Sequence, residues 1–163
     1  MHTPWSIAEG NELADAIQTF AKFIKARPDN IAFVGSCSYA ISVAAKNILQ
    51  QRLRPTEKTA SGIRKKVLVL HNQMSSNVYP WQDLRSEVPG LEIVAPVRNH
   101  TLSEADSTQK GNFTGWTETI VNFLKEHDDI VIAALPNVHW CDGEVIDLVE
   151  IGKLCRQKDI GAF

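Results

Sequence analysis

Apolar residues recur along the chain in two alternating periods, one helical and one extended. From Asn11 to Ala26, Leu13, Ile17, Phe20 and Ile24 return at helical spacing, and Pro28 closes the run. "IAFV" (31–34) is a short apolar stretch bounded by turn residues and reads as a strand; "GSCS" follows, then a helix with Ile41, Ala44, Ala45, Ile48 and Leu49 on one face. "VLVLH" (67–71) has no polar alternation, the pattern of a strand buried on both sides. A short helix is expected from Pro80, where a fixed φ suits a first turn, and Pro89 and Gly90 end it before the strand "LEIVAPV". Trp116, Ile120, Phe123 and Leu124 mark a further amphipathic helix, with Thr114 or Thr117 as its cap. "IVIAAL" is a second doubly buried strand. "EVIDLVEIGKLCRQKD" is a helix expected to turn Val145, Leu148, Val149 and Leu154 inward, and Ile160 to Phe163 begin another strand.

Strands separated by helices predict an α/β fold, a mostly parallel sheet with helices on both faces. Residues 1–163 are read as one unit, with loops at 55–66 and 98–115, where polar residues, Pro and Gly replace the apolar rhythm. Ligands of such sheets gather beyond the carboxyl ends of the strands, so the loops that follow strands are the places to look for chemistry.

Composition narrows the function classes. With 44% hydrophobic and 22% charged residues and a net charge of -2, the chain has neither the basic excess of a nucleic-acid binder nor that of a protein held to anionic membranes. "MHTPWSIAEG" lacks the basic and apolar regions of a signal peptide, and no apolar run approaches a membrane span, so a cytoplasmic location is expected. Cys37, Cys141 and Cys155, odd in number and widely spaced, predict no disulfide framework, and the five histidines show no ligand spacing, so no metal is expected.

Three loops carry candidate chemistry. In "VGSCSYAI", Gly35 permits a tight turn, and Ser36, Cys37 and Ser38 bring hydroxyls and backbone N–H groups to a helix N-terminus; they either cap the helix or hold an anion such as phosphate. In "HNQMSSNVYPW", Gln73, Ser75, Ser76 and Asn77 place amides and hydroxyls at the same edge, as a ligand site or as a polar turn before a core aromatic. "LPNVHWCDGEV" presents Asn137, His139, Trp140 and Asp142, with Gly143 at a turn; a lone histidine in such a loop is expected to face solvent.

In this order and at these intervals, the three loops resemble the aminotransferase class V family of pyridoxal-phosphate enzymes, which includes cysteine desulfurases and kynureninases. The match covers nearly the whole chain: "GSCS" resembles the family's phosphate turn, "SSNVYPW" its second strand-end loop, and "NVHWCDGEVIDLVEIGKLC" the segment before the strand bearing the cofactor's acidic partner. The resemblance implies the large domain of the PLP-dependent transferase fold and pyridoxal 5'-phosphate as cofactor. It assigns Ser36, Cys37 and Ser38 to the phosphate. Met74 takes the position over the pyridine face, where the family has an aromatic or histidine ring; Asn77 lies in the second loop, and Trp140 stands where some members have an asparagine near the phenolic oxygen. It further implies an amino-acid substrate reacting through an external aldimine, and a homodimer for the full-length enzyme. The imine-forming lysine and the pyridine-nitrogen aspartate are expected beyond residue 163, which would leave this chain a truncated, inactive part of the large domain. Lys46, Lys65, Lys66 and Lys153 read as solvated surface charges.

Two other classes fit parts of the pattern. One is a thiol hydrolase or amidotransferase with Cys37 as nucleophile at a helix N-terminus and His139 as base, although Tyr39 and Ala40 break the nucleophile-elbow spacing. The other is a non-catalytic phospholigand-binding module, which has the "GSCS" turn but neither glycine-rich nucleotide fingerprint.

Overall fold

The computed structural model describes residues 11–53, 64–98 and 114–162. Four strands, β1 (Lys66–Leu68), β2 (Glu92–Val94), β3 (Ile130–Ala133) and β4 (Gly161–Ala162), pair in parallel in the order β2-β1-β3-β4. Parallel strands buried on both sides need an apolar residue at every position, and residues 67–70 and 130–135 are all buried. In β1 and just beyond it the side chains alternate. Val67 and Val69 enter one core cluster, and Leu68 and Leu70 the other. In β3 the alternation slips once. Lys66 faces Ile130 but Val67 faces Ile132, so Val131 is the extra residue of a bulge, and Val131 and Ile132 enter the same cluster.

Helices α2 (Cys37–Arg52) and α3 (Ser75–Asp83) cover one face, and α4 (Trp116–Glu126) and α5 (Leu148–Gln157) cover the other, as the sequence predicts. Trp81, wholly buried, anchors α3 against Val67, Val69, Leu84 and Leu91. Helix α2 ends at the amino edge of the sheet, where Arg52 pairs with Asp159 just before β4 at 2.9 Å. Sixteen residues span about 24 Å, so the N-terminus of α2, with Ser36 to Ser38, points to the carboxyl edge.

Several expected elements differ. The first helix, α1, runs Asn11–Phe23 rather than to Ala26, because Lys25 turns into the left-handed region at φ 55°. "IAFV" forms no strand; Ile31 is extended, but none of the four strands pairs with it, and Phe33 and Val34 stay exposed. Helix α3 begins at Ser75, five residues before Pro80, which therefore lies inside it. Gly115 rather than Thr114 or Thr117 is the cap position of α4. Helix α5 starts only at Leu148, with Asp147 as its cap, and the cap sets the phase: Ile151 and Cys155 face the core, Leu154 is half-buried, and Val145, Leu148 and Val149 face out. The expected loops at 55–66 and 98–115 fall largely outside the described residues. Among the described residues no helix is long and apolar enough to cross a membrane.

Candidate functional site

At the carboxyl edge of the sheet the second and third loops are bound to each other. Gln73, buried, accepts the Leu70 N–H at 2.8 Å and donates to the Ala134 carbonyl at 3.2 Å, joining the ends of β1 and β3. The next residues repeat the link. Trp140 donates its indole N–H to the Asn72 carbonyl, the Cys141 thiol meets the same oxygen at 3.5 Å, and His139 Nε2 lies 3.1 Å from the His71 carbonyl. Asn72 takes a left-handed φ of 55°, a conformation asparagine tolerates, which turns its carbonyl to these donors.

His139 is buried rather than solvent-facing, with its ring 4.7 Å from that of Trp116. Its Nδ1 sits 3.1 Å from Asp142 Oδ2, an ion contact without hydrogen-bond angles. His139 is thus held inside the joined loops through Nε2, and no hydrogen bond among the described residues links it to Cys37, the nucleophile of the thiol-hydrolase reading.

The third loop has a shape of its own. Val138 and Val145 bridge antiparallel around a turn in which Gly143 has φ 73°, and Asp142 Oδ1 accepts the Glu144 N–H at 3.0 Å. Burial works against the Asp142 charge, yet the Glu144 and Trp116 N–H donors and the charges of His139 and Arg98 outweigh it, and its carboxyl lies below the usual value. Arg98, just after β2, pairs with both Asp142 and Glu144 and stacks 4.6 Å over the Trp116 ring. Nothing local in the sequence marks Arg98, because its partners lie 44 and 46 residues further on.

The first loop stands apart. Ser36, Cys37 and Ser38 are exposed, and their hydrogen bonds stay within α2: Ser36 Oγ accepts the Tyr39 N–H at 3.1 Å, and Ser42 Oγ donates to the Ser38 carbonyl at 2.8 Å. No acidic side chain occupies the first turn of α2. The chain bends at Gly35, but a Cβ placed there meets nothing within 4 Å and its φ is not positive, so the bend leaves open space and does not require glycine's conformational freedom. Of the other predicted residues, Met74 is exposed at the start of α3, Trp140 is exposed, and Asn77 is half-buried with its Oδ1 accepting the Trp81 indole N–H at 3.4 Å.

A family model, Aminotransferase class-V, matches residues 7–163. The chain belongs to the aminotransferase class-V family. A search of curated proteins found no match. The family is dependent on pyridoxal phosphate, and the described residues fit one part of that cofactor: a helix N-terminus free of acidic side chains, flanked by two hydroxyls and open space at Gly35, suits a phosphate dianion. They do not place a lysine or an uncommitted carboxylate in the class-V site. Lys66, paired with Asp129 at 2.6 Å, and Lys65, on the Pro89 carbonyl at 2.7 Å, lie at the amino edge of the sheet, Lys46 pairs with Glu87, and Lys153 is exposed on α5. Asp142 and Glu144 are committed to Arg98 and Trp116.

Proposed function

We propose that this chain supplies the phosphate-binding and ring-facing part of the pyridoxal-phosphate site of a class-V enzyme that acts on an amino-acid substrate. The observation that carries it is the N-terminus of α2, directed to the carboxyl edge, with Ser36 to Ser38 exposed and no carboxylate in its first turn. There the backbone N–H groups of Cys37 and Ser38 donate to the phosphate oxygens. The Ser36 hydroxyl, whose oxygen accepts from Tyr39, keeps its own hydrogen to donate, and so does Ser38. Met74 offers a polarizable thioether to the ring face. Trp140 presents an exposed indole whose N–H is already spent on Asn72, so it contributes a flat face and not a hydrogen bond. The amide nitrogen of Asn77 remains a donor, since its Oδ1 takes the Trp81 N–H. When bound, the cofactor supplies the electron sink for reactions at the amino-acid α-carbon.

The imine-forming lysine and the carboxylate for the pyridine nitrogen come, in this proposal, from outside the described residues. A homodimer and a cytoplasmic location complete the reading. Titration with pyridoxal phosphate, pyridoxal and a nucleotide tests it. Pyridoxal phosphate should bind, and Ser36→Ala combined with Ser38→Ala should weaken it about tenfold or more, as charge-assisted hydrogen bonds are lost. Binding of the nucleotide without pyridoxal phosphate would make the chain a phospholigand module instead.

A further inference from the structure

The cluster centred on Arg98 joins four separate parts of the chain. The guanidinium lies at the end of the β2 segment with its side chain 12% exposed, and two carboxylates of the third loop, Asp142 and Glu144, grip it from opposite nitrogens. Glu144 also accepts the Trp116 backbone N–H at 2.6 Å, which caps α4 where its own residue, Gly115, has no side chain to do so. Asp142 accepts the Trp116 indole N–H at 3.0 Å and meets His139, whose other nitrogen lies 3.1 Å from the His71 carbonyl. Between His139 and Asp142 sit Trp140 and Cys141, both tied to Asn72.

Charge explains why the arginine is the hub. Two carboxylates converge on one place, and Arg98, the N-terminus of α4 and the His139 ring are the groups that answer them. Remove the guanidinium, and Asp142 and Glu144 repel each other across the turn at Gly143. The cluster is not filled to the last bond. Arg98 Nε and His139 Nδ1 are buried without hydrogen-bond partners, a pattern that stability alone does not favour.

We infer that Arg98 is a positioning residue that couples the third loop to the second, holding Trp140 and the start of α3 at Met74 in one arrangement. Its salt bridges set the hairpin turn, the turn sets His139 and Trp140, and these two residues hold the carbonyls of His71 and Asn72. The coupling itself does not depend on any ligand; its consequence for the cofactor ring rests on the function proposed above.

Hydrogen exchange on the whole chain tests the coupling without ligand. In Arg98→Met, amides of residues 70–77 and of 137–146 should both exchange about tenfold faster or more, corresponding to about 1.4 kcal/mol of lost local protection, while those of β3 and α5 accelerate by no more than the loss of global stability read from urea unfolding. Arg98→Lys should restore part of the protection, because one ammonium cannot bridge two carboxylates in the fork geometry. Acceleration confined to 137–146 would overturn the inference. Should Arg98→Met fail to fold, Asp142→Asn, which keeps the shape and removes one arm, must accelerate both segments, and an effect on one alone overturns the inference equally. As a second readout, Arg98→Met should weaken pyridoxal phosphate about tenfold and leave inorganic phosphate unchanged; equal weakening of both would overturn the positioning role. Absence of pyridoxal-phosphate binding by the parent chain would defeat the proposed function while leaving the exchange result to decide the coupling.

Discussion

Gly35 shows at the residue scale what a turn needs from glycine. The chain bends there, as the sequence reading expects, yet its φ is not positive and a side chain would meet only open space. Gly35→Val should therefore change the melting temperature little, within about 0.5 kcal/mol of stability, and still abolish phosphate binding by filling that space. A large loss of stability, or unchanged phosphate binding, would contradict this account of the turn. The cysteines separate just as clearly. Cys37 and Cys141 are exposed, whereas Cys155 is buried in the core with its thiol pushed up by burial. Mass spectrometry after brief iodoacetamide treatment should find label on the first two and none on Cys155 until the protein is unfolded. Residue chemistry was legible where it is local: a serine before a helix caps it, and Ser36 does. Met74 and Trp140 are exposed, but the tether of Trp140 to Asn72 was not legible, because a loop sequence does not say which carbonyl a neighbouring loop will offer.

Among the elements, the doubly buried strands and their intervening helices could be read directly, since unbroken apolar runs such as "VLVL" and "IVIAAL" have few other uses. "IAFV" has the same composition and forms no strand, because strand formation needs a neighbour to pair with and composition does not supply one. The phase of α5 differs from the expected one for a related reason: the apolar periodicity runs on through the hairpin that ends at Val145, while the cap at Asp147 restarts it. Arg98 was invisible to any window, being defined by partners far along the chain. At this scale Arg98→Met should cost about 1–2 kcal/mol, as the two carboxylates it strands are partly in water, measurable by urea unfolding. Acid should act on the same loop. The folded Asp142 carboxyl titrates below its ordinary 3.8, so its contribution is complete above that value and is lost as pH falls through the lower folded one. Asp142→Asn should flatten the fall in stability as pH drops below the ordinary 3.8; an unchanged acid limb would remove Asp142 as a source of it.

At the scale of the whole molecule, the sheet places two interlocked loops at one edge, and α2 directs its N-terminus there from the same face. The α/β architecture was readable from strand patterns alternating with helix patterns, and the family from the order of three short loops. What was not readable is how they divide: two of them form a hydrogen-bonded unit, and the first contributes a separate helix terminus. The molecule also exposes Phe20, Phe23, Phe33 and Val34 on α1 and the segment beyond it, with Phe23 83% and Phe33 64% accessible. The proposed homodimer would cover these side chains, and it should appear in sedimentation velocity as a concentration-dependent species of twice the chain mass; a monomer at all concentrations would argue against it. The central claim, that the N-terminus of α2 holds the phosphate while the joined loops face the ring, is tested most directly by titrating the labelled protein and following backbone amide resonances. Inorganic phosphate should shift residues 36–40, and pyridoxal phosphate should shift these together with residues 74–77 and Trp140. Shifts that leave residues 36–40 unmoved under both ligands would contradict it.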